Sequence, residues 1–440
     1  MKIKPFGLVF FPAFDWAISP SHPEREERLL YTRDQIVEEG ILDLPGVREY
    51  KPRLAEVRDA ERVHIGVPDI ASLITDAHLV SAGGAITAAE AVLKGEVERA
   101  FALVRPPGHH AMHVVHGTRG FCAINIEAIM VEYLRRHYGI GRVAIVDTDV
   151  HHGDGTQAIF YHDPDTLFIS FHQDGRTLYP GTGFPNEAGS PRAYGTTLNL
   201  PLPPGTTDEG LHYVLDQLIL PVLEDYKPDI VINSAGQDNH YSDPLASMAI
   251  TAQGYAKLAD KLQADIAVLE GGYSIEDALP YVNTGIILAM AGLDYTKVIE
   301  PDRAKHKESM SEQAMAYVKA LTREQHNLWR DRERLGREAA AKAGDFWRRR
   351  RSIYYDDSGI NEEQEEAARL CPRCLGYRTI ATRSEGYGTG YKTAFAAVLP
   401  RHVCPECRIA AQDAVWIEKK QGKYQHYFIQ DRDNDLLERI

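Results

Sequence analysis

Four short apolar runs, each closing on a polar residue able to do chemistry, constrain the fold of this chain more than any other feature. They are Val143 to Val146 before Asp147, Thr166 to Ser170 before His172, Ile230 to Asn233 before Ser234, and Ile266 to Leu269 before Glu270. Helix-forming stretches at Ile126 to His137 and Glu209 to Leu223 lie between them, and an Ala-rich run from Gly83 to Lys94 has helical spacing. Strands alternating with helices predict an α/β fold with a mostly parallel sheet. Ligands of such sheets gather beyond the carboxyl ends of the strands, where these polar residues fall. A further apolar run, Phe6 to Phe14, has the layout of a secretory leader, but Pro5, Pro12 and Asp15 interrupt it and a first buried strand is expected instead.

Composition bounds the function classes. With 44% hydrophobic and 25% charged residues the chain is globular, not disordered, collagen-like or a disulfide scaffold. The net charge of −14 is unevenly spread, −18 in residues 1–300 and +4 in 301–440, so the larger part is not built to hold a phosphate backbone. No uncharged apolar run reaches the ~18 residues that a bilayer span requires, so no membrane partner is expected. Of 5 cysteines, Cys371, Cys374, Cys404 and Cys407 form two Cys-x-x-Cys pairs, which suggests a thiolate metal cluster in the reducing cytoplasm. Composition shifts near 300 and 368 divide the chain into an expected catalytic domain (1–300), a charged helical linker (301–368) and a cysteine module (369–430). The linker contains the polar run Lys305 to Ala343, the arginines Arg348 to Arg351, read as a solvated helix face or linker rather than a nucleic-acid contact, and an acidic stretch from Asp356 to Glu366.

The chemistry concentrates after the strand at 143–146. In an extended segment Asp147, Asp149 and His151 point to one side, because side chains alternate. Asp238 ends a second strand at an equivalent level. Asp149, His151 and Asp238 would make a three-ligand site with an open position, as catalytic zinc requires; a strand-end Asp also often caps the next helix, but three such features make capping an insufficient account. His109 and His110 sit on a turn stiffened by Pro106 and Pro107, suited to fixed imidazoles. At Glu270-Gly271-Gly272-Tyr273 a Gly-Gly turn lets the backbone bring Tyr273 over the same rim.

These segments, RPPGHHA (105–111), GFCAIN (120–125), VDTDVHHGDGTQAIF (146–160), YPGTG (179–183), SAGQDNHYSDPL (234–245) and LEGGYS (269–274), with HPEREERL (22–29) upstream, resemble the ordered motifs of the histone deacetylase and acetylpolyamine amidohydrolase family. The double proline before the histidines is closest to its class II and bacterial branches. The resemblance implies an arginase/deacetylase-like α/β fold and a zinc-dependent amidohydrolase that removes acetyl groups from acetyl-lysine in proteins or from acetylated polyamines and other small amines. It places Asp149, His151 and Asp238 on a catalytic Zn2+, His110 in the main acid/base role with His109 in electrostatic support, and Asp147 and Asp154 on the carboxylates that orient them. Tyr273 falls on the oxyanion-stabilising tyrosine, Gly120 and Phe121 on the tunnel motif, and Tyr179 on the opposite wall. Backbone oxygens of Asp147, Asp149, His151 and Phe171 with the Ser170 hydroxyl match a monovalent-cation (K+) site. Two departures argue against histone tails as substrates. The chain is short between His64 and Gly83, so Asp76 is the remaining candidate for the acidic residue that holds the substrate backbone, and Tyr179 stands where the family has phenylalanine. Cys122 is expected to be a buried thiol, with no base of its own.

Four thiolates satisfy tetrahedral zinc with no open corner, so the second zinc is expected to be structural. The spacing resembles a zinc ribbon, with strands expected at Tyr377 to Thr382 and Ala414 to Glu418. Basic residues with Tyr387, Tyr391, Tyr424 and Tyr427 could form a nucleic-acid surface, and a protein-docking or homo-oligomerising module fits equally well. A non-catalytic acetyl-group binder that recruits partners through the ribbon is the competing function; an arginase-like two-metal hydrolase is a third. The complete hydrolytic set disfavours the first and the single Asp-x-His run the second.

Overall fold

The computed structural model describes residues 4–306, 309–386 and 390–440. The first unit contains β1 (Phe6–Phe11), β2 (Val47–Tyr50), β3 (Ile65–Gly66), β4 (Arg99–Val104), β5 (Val114–Val115), β6 (Val143–Asp147), β7 (Thr166–Gln173), β8 (Thr197–Leu202), β9 (Ile230–Ala235) and β10 (Ile266–Leu269). Eight of these form one sheet in the order β2-β1-β4-β10-β9-β6-β7-β8, every pair parallel. Its strands read as continuous apolar runs because both faces are covered. Alternation sorts them: Ala144 and Val146 join one core with Leu8, Phe101 and Leu103, whereas Val143 and Ile145 join the other with Val9, Ala102 and the Ala-rich helix Asp76–Leu93. The α/β expectation is thus met, and β6, β7, β9 and β10 lie where the apolar runs predicted. No helix among the described residues is long and apolar enough to cross a membrane.

Residues beyond 300 depart from the linker expectation. The helix Glu312–Ala343 is docked on the first unit: Val318, Leu321 and Trp329 enter its core, and the Trp329 indole N–H donates to Asp225 at 2.9 Å. Residues 346–369 are two long strands, not a helical linker. β11 (Phe346–Tyr355) and β12 (Ile360–Arg369) begin a second sheet that continues through β13 (Arg378–Gly386), β14 (Gly390–Leu399), β15 (His426–Asp431) and β16 (Leu436–Arg439) in sequence order. The charge runs are cross-strand partners: Arg349 pairs with Glu366 and Arg350 with Glu365, each at 2.7 Å, and Arg351 donates to Gln364. On β12, Glu362, Gln364 and Glu366 alternate inward and are buried.

The second sheet lays one face on the first unit, with Ala394, Ala396, Val398 and Phe428 against Ile65, Val67 and Val114. The helix Pro405–Gln421 covers the other face, where Phe395, Ala397 and Leu399 meet Cys407, Ala411 and Val415. The strand expected at Ala414 to Glu418 is therefore helix. Cys404 stands at its N-cap, Pro405 at its first position, and Cys407, Ala411 and Val415 repeat every four residues. The proposed aromatic surface does not form as expected: Tyr391 is exposed, but Tyr427 is buried and donates to the Glu418 carbonyl, Tyr424 packs on Phe395, and Tyr387 lies outside the described residues.

Candidate active site

Adjacent parallel strands β6 and β9 release their loops side by side, which brings Asp149 and His151 to Asp238. The His151 Nδ1 lies 3.1 Å from Asp149 Oδ1 and 3.1 Å from Asp238 Oδ2. Zinc bonds of ~2.0–2.1 Å in a tetrahedron would separate donors by roughly 3.3 Å, so the set fits that ion. The other carboxylate oxygens are tied to backbone: Gly271 N–H donates to Asp149 Oδ2 at 2.7 Å and Val150 N–H to Asp238 Oδ1 at 2.8 Å. The backbone can come this close because a Cβ on Gly271 would stand 2.2 Å from Asp238 Oδ2, and one on Gly236 2.1 Å from Asp149 Oδ2. Burial alone would lower the His151 imidazole, but its bonds to Asp149 and Asp238 push it up to about 10. Among the described residues the group has these three members, so a tetrahedral ion keeps one corner open.

His109 and His110 lie beside this group, each oriented by a carboxylate. His109 Nδ1 is 3.1 Å from Asp147 Oδ2 and His110 Nδ1 is 2.9 Å from Asp154 Oδ1, so each ring's Nδ1–H donates to an acid. That leaves the His110 Nε2 without a protein partner among the described residues. The turn itself is held by Glu270, whose Oε2 accepts from Gly108 N–H at 2.7 Å and His109 N–H at 3.1 Å. Burial and the neighbouring His109 pull His110 down to about 3, against the bond to Asp154.

Tyr273 enters over the same rim. Its backbone N–H donates to Asp243 Oδ2 at 2.7 Å, its ring packs edge-on against Phe121 at 5.5 Å, and its hydroxyl makes no hydrogen bond to the protein among the described residues. Burial pushes the phenol well above its usual range, so it stays a proton donor. The upstream HPEREERL segment positions it: Arg28 donates to the carbonyls of Gly272 at 2.8 Å and Glu270 at 2.7 Å, lies 4.8 Å over the Tyr273 ring, and pairs with Glu24, which also binds Arg105 at 2.7 Å. All three charged side chains are fully buried. Glu24→Ala would leave two guanidinium groups without their acid, so a stability loss of about 3–5 kcal/mol is expected in urea denaturation.

Gly120, Phe121 and Tyr179 converge with the histidines. Tyr179 packs edge-on against His110 at 5.1 Å. Gly120 and Phe121 both have positive φ, and a Cβ on Gly120 would meet His110 Cδ2 at 2.4 Å. This strained turn is held by the β11–β12 connection of the second sheet: Asp356 Oδ1 accepts from Gly120 N–H at 3.0 Å and Tyr179 O–H at 3.2 Å, and Asp357 Oδ2 accepts from Phe121 N–H at 2.8 Å. Asp76 is exposed in the first turn of its helix and bonds to none of these residues.

Residues 69–290 match the histone deacetylase domain. The chain belongs to the histone deacetylase family. It is 48% identical to a probable deacetylase of Archaeoglobus fulgidus over 67% of this chain and 89% of that protein. It is 37% identical to the histone deacetylase-like amidohydrolase of Pseudomonas aeruginosa over 49% of this chain and 58% of that one, and 30% identical to the acetoin utilization protein AcuC of Bacillus subtilis over 67% and 84%. The crystal structure of the HDA15 HD domain superposes with a TM-score of 0.65 at 26% identity, covering 77% of this chain and 99% of that one. The chain is accordingly a deacetylase of this family.

Two parts of the deacetylase escaped the motif reading. Arg119, between motif blocks, pairs with Asp154 and lies 5.3 Å over the Tyr179 ring, linking the carboxylate that holds His110 to Tyr179. Asp356 and Asp357 lie in a segment that reads as acidic linker; Asp356-Asp357-Ser358-Gly359 between two alternating runs is nevertheless a turn signal. The four-cysteine group forms as expected, with Cys371 and Cys404 sulfurs 3.9 Å apart, close to the roughly 3.8 Å between thiolates on one zinc. Backbone N–H groups of Arg373 and Gly376 donate to Cys371 and Cys374. Ser170 pairs with Asp147 across β7 and β6, and its hydroxyl meets His172 at 2.9 Å. Cys122 is buried, and burial holds its thiol well above the usual range.

Proposed function

We propose that this deacetylase is zinc-dependent and hydrolyses the acetyl amide of N-acetylated amines that carry a second positive charge, acetylated polyamines being the best fit and acetyl-lysine a smaller one. The observation that carries the reading is the convergence of Asp149, His151 and Asp238 beside His110 and Tyr273. Zinc on those three donors supplies a Lewis acid for the amide carbonyl and eases deprotonation of water. The His110 Nε2 accepts the water proton and later passes it to the departing amine, because Asp154 fixes the tautomer that leaves this nitrogen unprotonated and its lone pair free. His109, held by Asp147, provides electrostatic support. Tyr273 O–H donates to the carbonyl oxygen as negative charge develops there. Water adds to the carbonyl carbon, the C–N bond breaks, and acetate and the free amine leave. A K+ beside Asp147, Ser170 and Phe171, and a structural zinc on Cys371, Cys374, Cys404 and Cys407, belong to the same proposal.

The cationic preference rests on the β11–β12 turn. Asp356 commits Oδ1 to the tunnel and leaves Oδ2 without a protein partner among the described residues. Burial, eased by the Phe121 bond and reinforced by Asp356, raises Asp357 to about 6, and the His22 imidazole stands 4.0 Å from it. Because the carboxyl is raised, Asp357 is anionic above pH 6 and becomes neutral as pH falls through 6. The KM of an N-acetyl diamine, relative to an uncharged acetamide of equal length, is therefore expected to rise roughly two- to fivefold between about pH 7 and 5. Asp357→Asn should flatten that ratio. Metal analysis and acetate release on acetyl-lysine peptides and N-acetyl diamines test the whole reading. Two zinc ions per chain with turnover support it; full metal content with no acetate release from either class would overturn it.

A further inference from the structure

A cleft of about 790 Å³ lies between the two units, lined from the first unit within residues 135–141, 159–165 and 190–192 and from the second within 368–378, 398–402 and by Arg432. That volume lies within the ~300–1,000 Å³ of small-molecule sites. Its wall is rich in one chemistry. Arg135, Arg192, Arg369, Arg373, Arg378, Arg401 and Arg432 line it, against Asp163 and Asp165, and Arg373 pairs with Glu406 at 2.7 Å. Glu132 and Glu366 lie behind: Glu132 serves Arg135 at 3.1 Å, Arg401 at 3.3 Å and Arg432 at 3.4 Å, and Glu366 serves Arg378 at 3.0 Å. Seven guanidinium groups thus share five carboxylates. Arg432 is the least satisfied. Its side chain is 9% exposed, its bond to Glu132 is long, and its buried Nε and Nη2 have no partner among the described residues. The Arg135 Nε is likewise unpartnered. Burial, opposed by Glu366 and deepened by Arg432, lowers Arg378 to about 10, and burial with repulsion from Arg135 and Arg432 lowers Arg401 despite Glu132.

We infer that this interdomain cleft is a binding site for a small phosphorylated anion, seated on the free edge of Arg432 and on Arg401. Guanidinium forks match phosphate oxygens two at a time, and a multiply charged group answers the surplus that a single carboxylate would leave. The bounded volume and the net charge of −14 suit a metabolite-sized ligand rather than a nucleic-acid backbone. The site is independent of the deacetylase reaction, and its failure would leave that reading untouched.

Equilibrium dialysis of the zinc-loaded full chain against labelled ADP, and separately against inorganic phosphate, at matched ionic strength, tests it. Saturable binding of one ligand per chain is expected; ADP binding tighter than phosphate identifies a phosphorylated metabolite, and equal affinity identifies free phosphate. Arg432→Gln should weaken binding roughly tenfold or more. Arg401→Gln, at a side chain 30% exposed, should do so as well and guards against misfolding of the first variant. Binding no stronger than to chloride-matched controls, or affinity unchanged in both variants, would overturn the inference. So would a single-stranded oligonucleotide that binds tighter than ADP and displaces it, since the ligand would then be a nucleic acid.

Discussion

Tyr273→Phe is expected to lower kcat by ~10²–10³ while leaving KM and zinc content nearly unchanged. The hydroxyl makes no bond to the protein among the described residues, so its loss strands no buried partner there, and the ring keeps its contacts with Phe121 and Arg28. Folding should therefore be preserved, and thermal melts of the two proteins should coincide closely. The fall would be confined to the step in which charge grows on the carbonyl oxygen, which is why kcat rather than KM moves. Steady-state kinetics with metal analysis on the same preparation checks this; unimpaired turnover would remove Tyr273 from the reaction.

His110→Ala should lose ~10²–10⁴ in kcat/KM, the range that a positioned acid/base contributes. Asp154→Asn should lose less, because Asp154 acts through the ring: it accepts from Nδ1 and so keeps Nε2 as the basic nitrogen. If that account is right, the double variant has the same kcat as His110→Ala alone, since a tautomer has no meaning once the imidazole is gone. Independent, multiplying losses would instead give Asp154 a role of its own. Arg119 ties Asp154 to Tyr179, so Asp154→Asn should also loosen the tunnel and raise KM, an effect absent from His110→Ala.

The convergence of Asp149, His151 and Asp238 beside the histidine pair was legible because the geometry is nearly local. Asp147, Asp149 and His151 alternate within five residues at the end of one strand, and Asp238 leaves the strand hydrogen-bonded beside it. The helix–strand alternation that predicts a parallel sheet therefore predicts the site as well. The second unit was less legible. Arg348 to Arg351 and Asp356 to Glu366 look like solvated charge runs, yet they neutralise one another across β11 and β12, a pairing that neither segment reveals alone. Ala414 to Glu418 looks like a strand by its apolar content; the four-residue spacing of Cys407, Ala411 and Val415 decided for helix.

Within single strands and turns, then, residue order was sufficient: it set which atoms stand together at the ends of β6 and β9, because side-chain direction there follows from backbone periodicity. Long-range packing alone decided that Asp356 and Asp357, each 236 residues along the chain from the glycine or phenylalanine it holds, brace the Gly120–Phe121 turn, and that Arg28 and Glu24 carry Tyr273. Those contacts depend on how the second sheet lies against the first unit and how buried charges find partners across it. Such choices minimise the desolvation of groups far apart in the chain, and no local pattern records them.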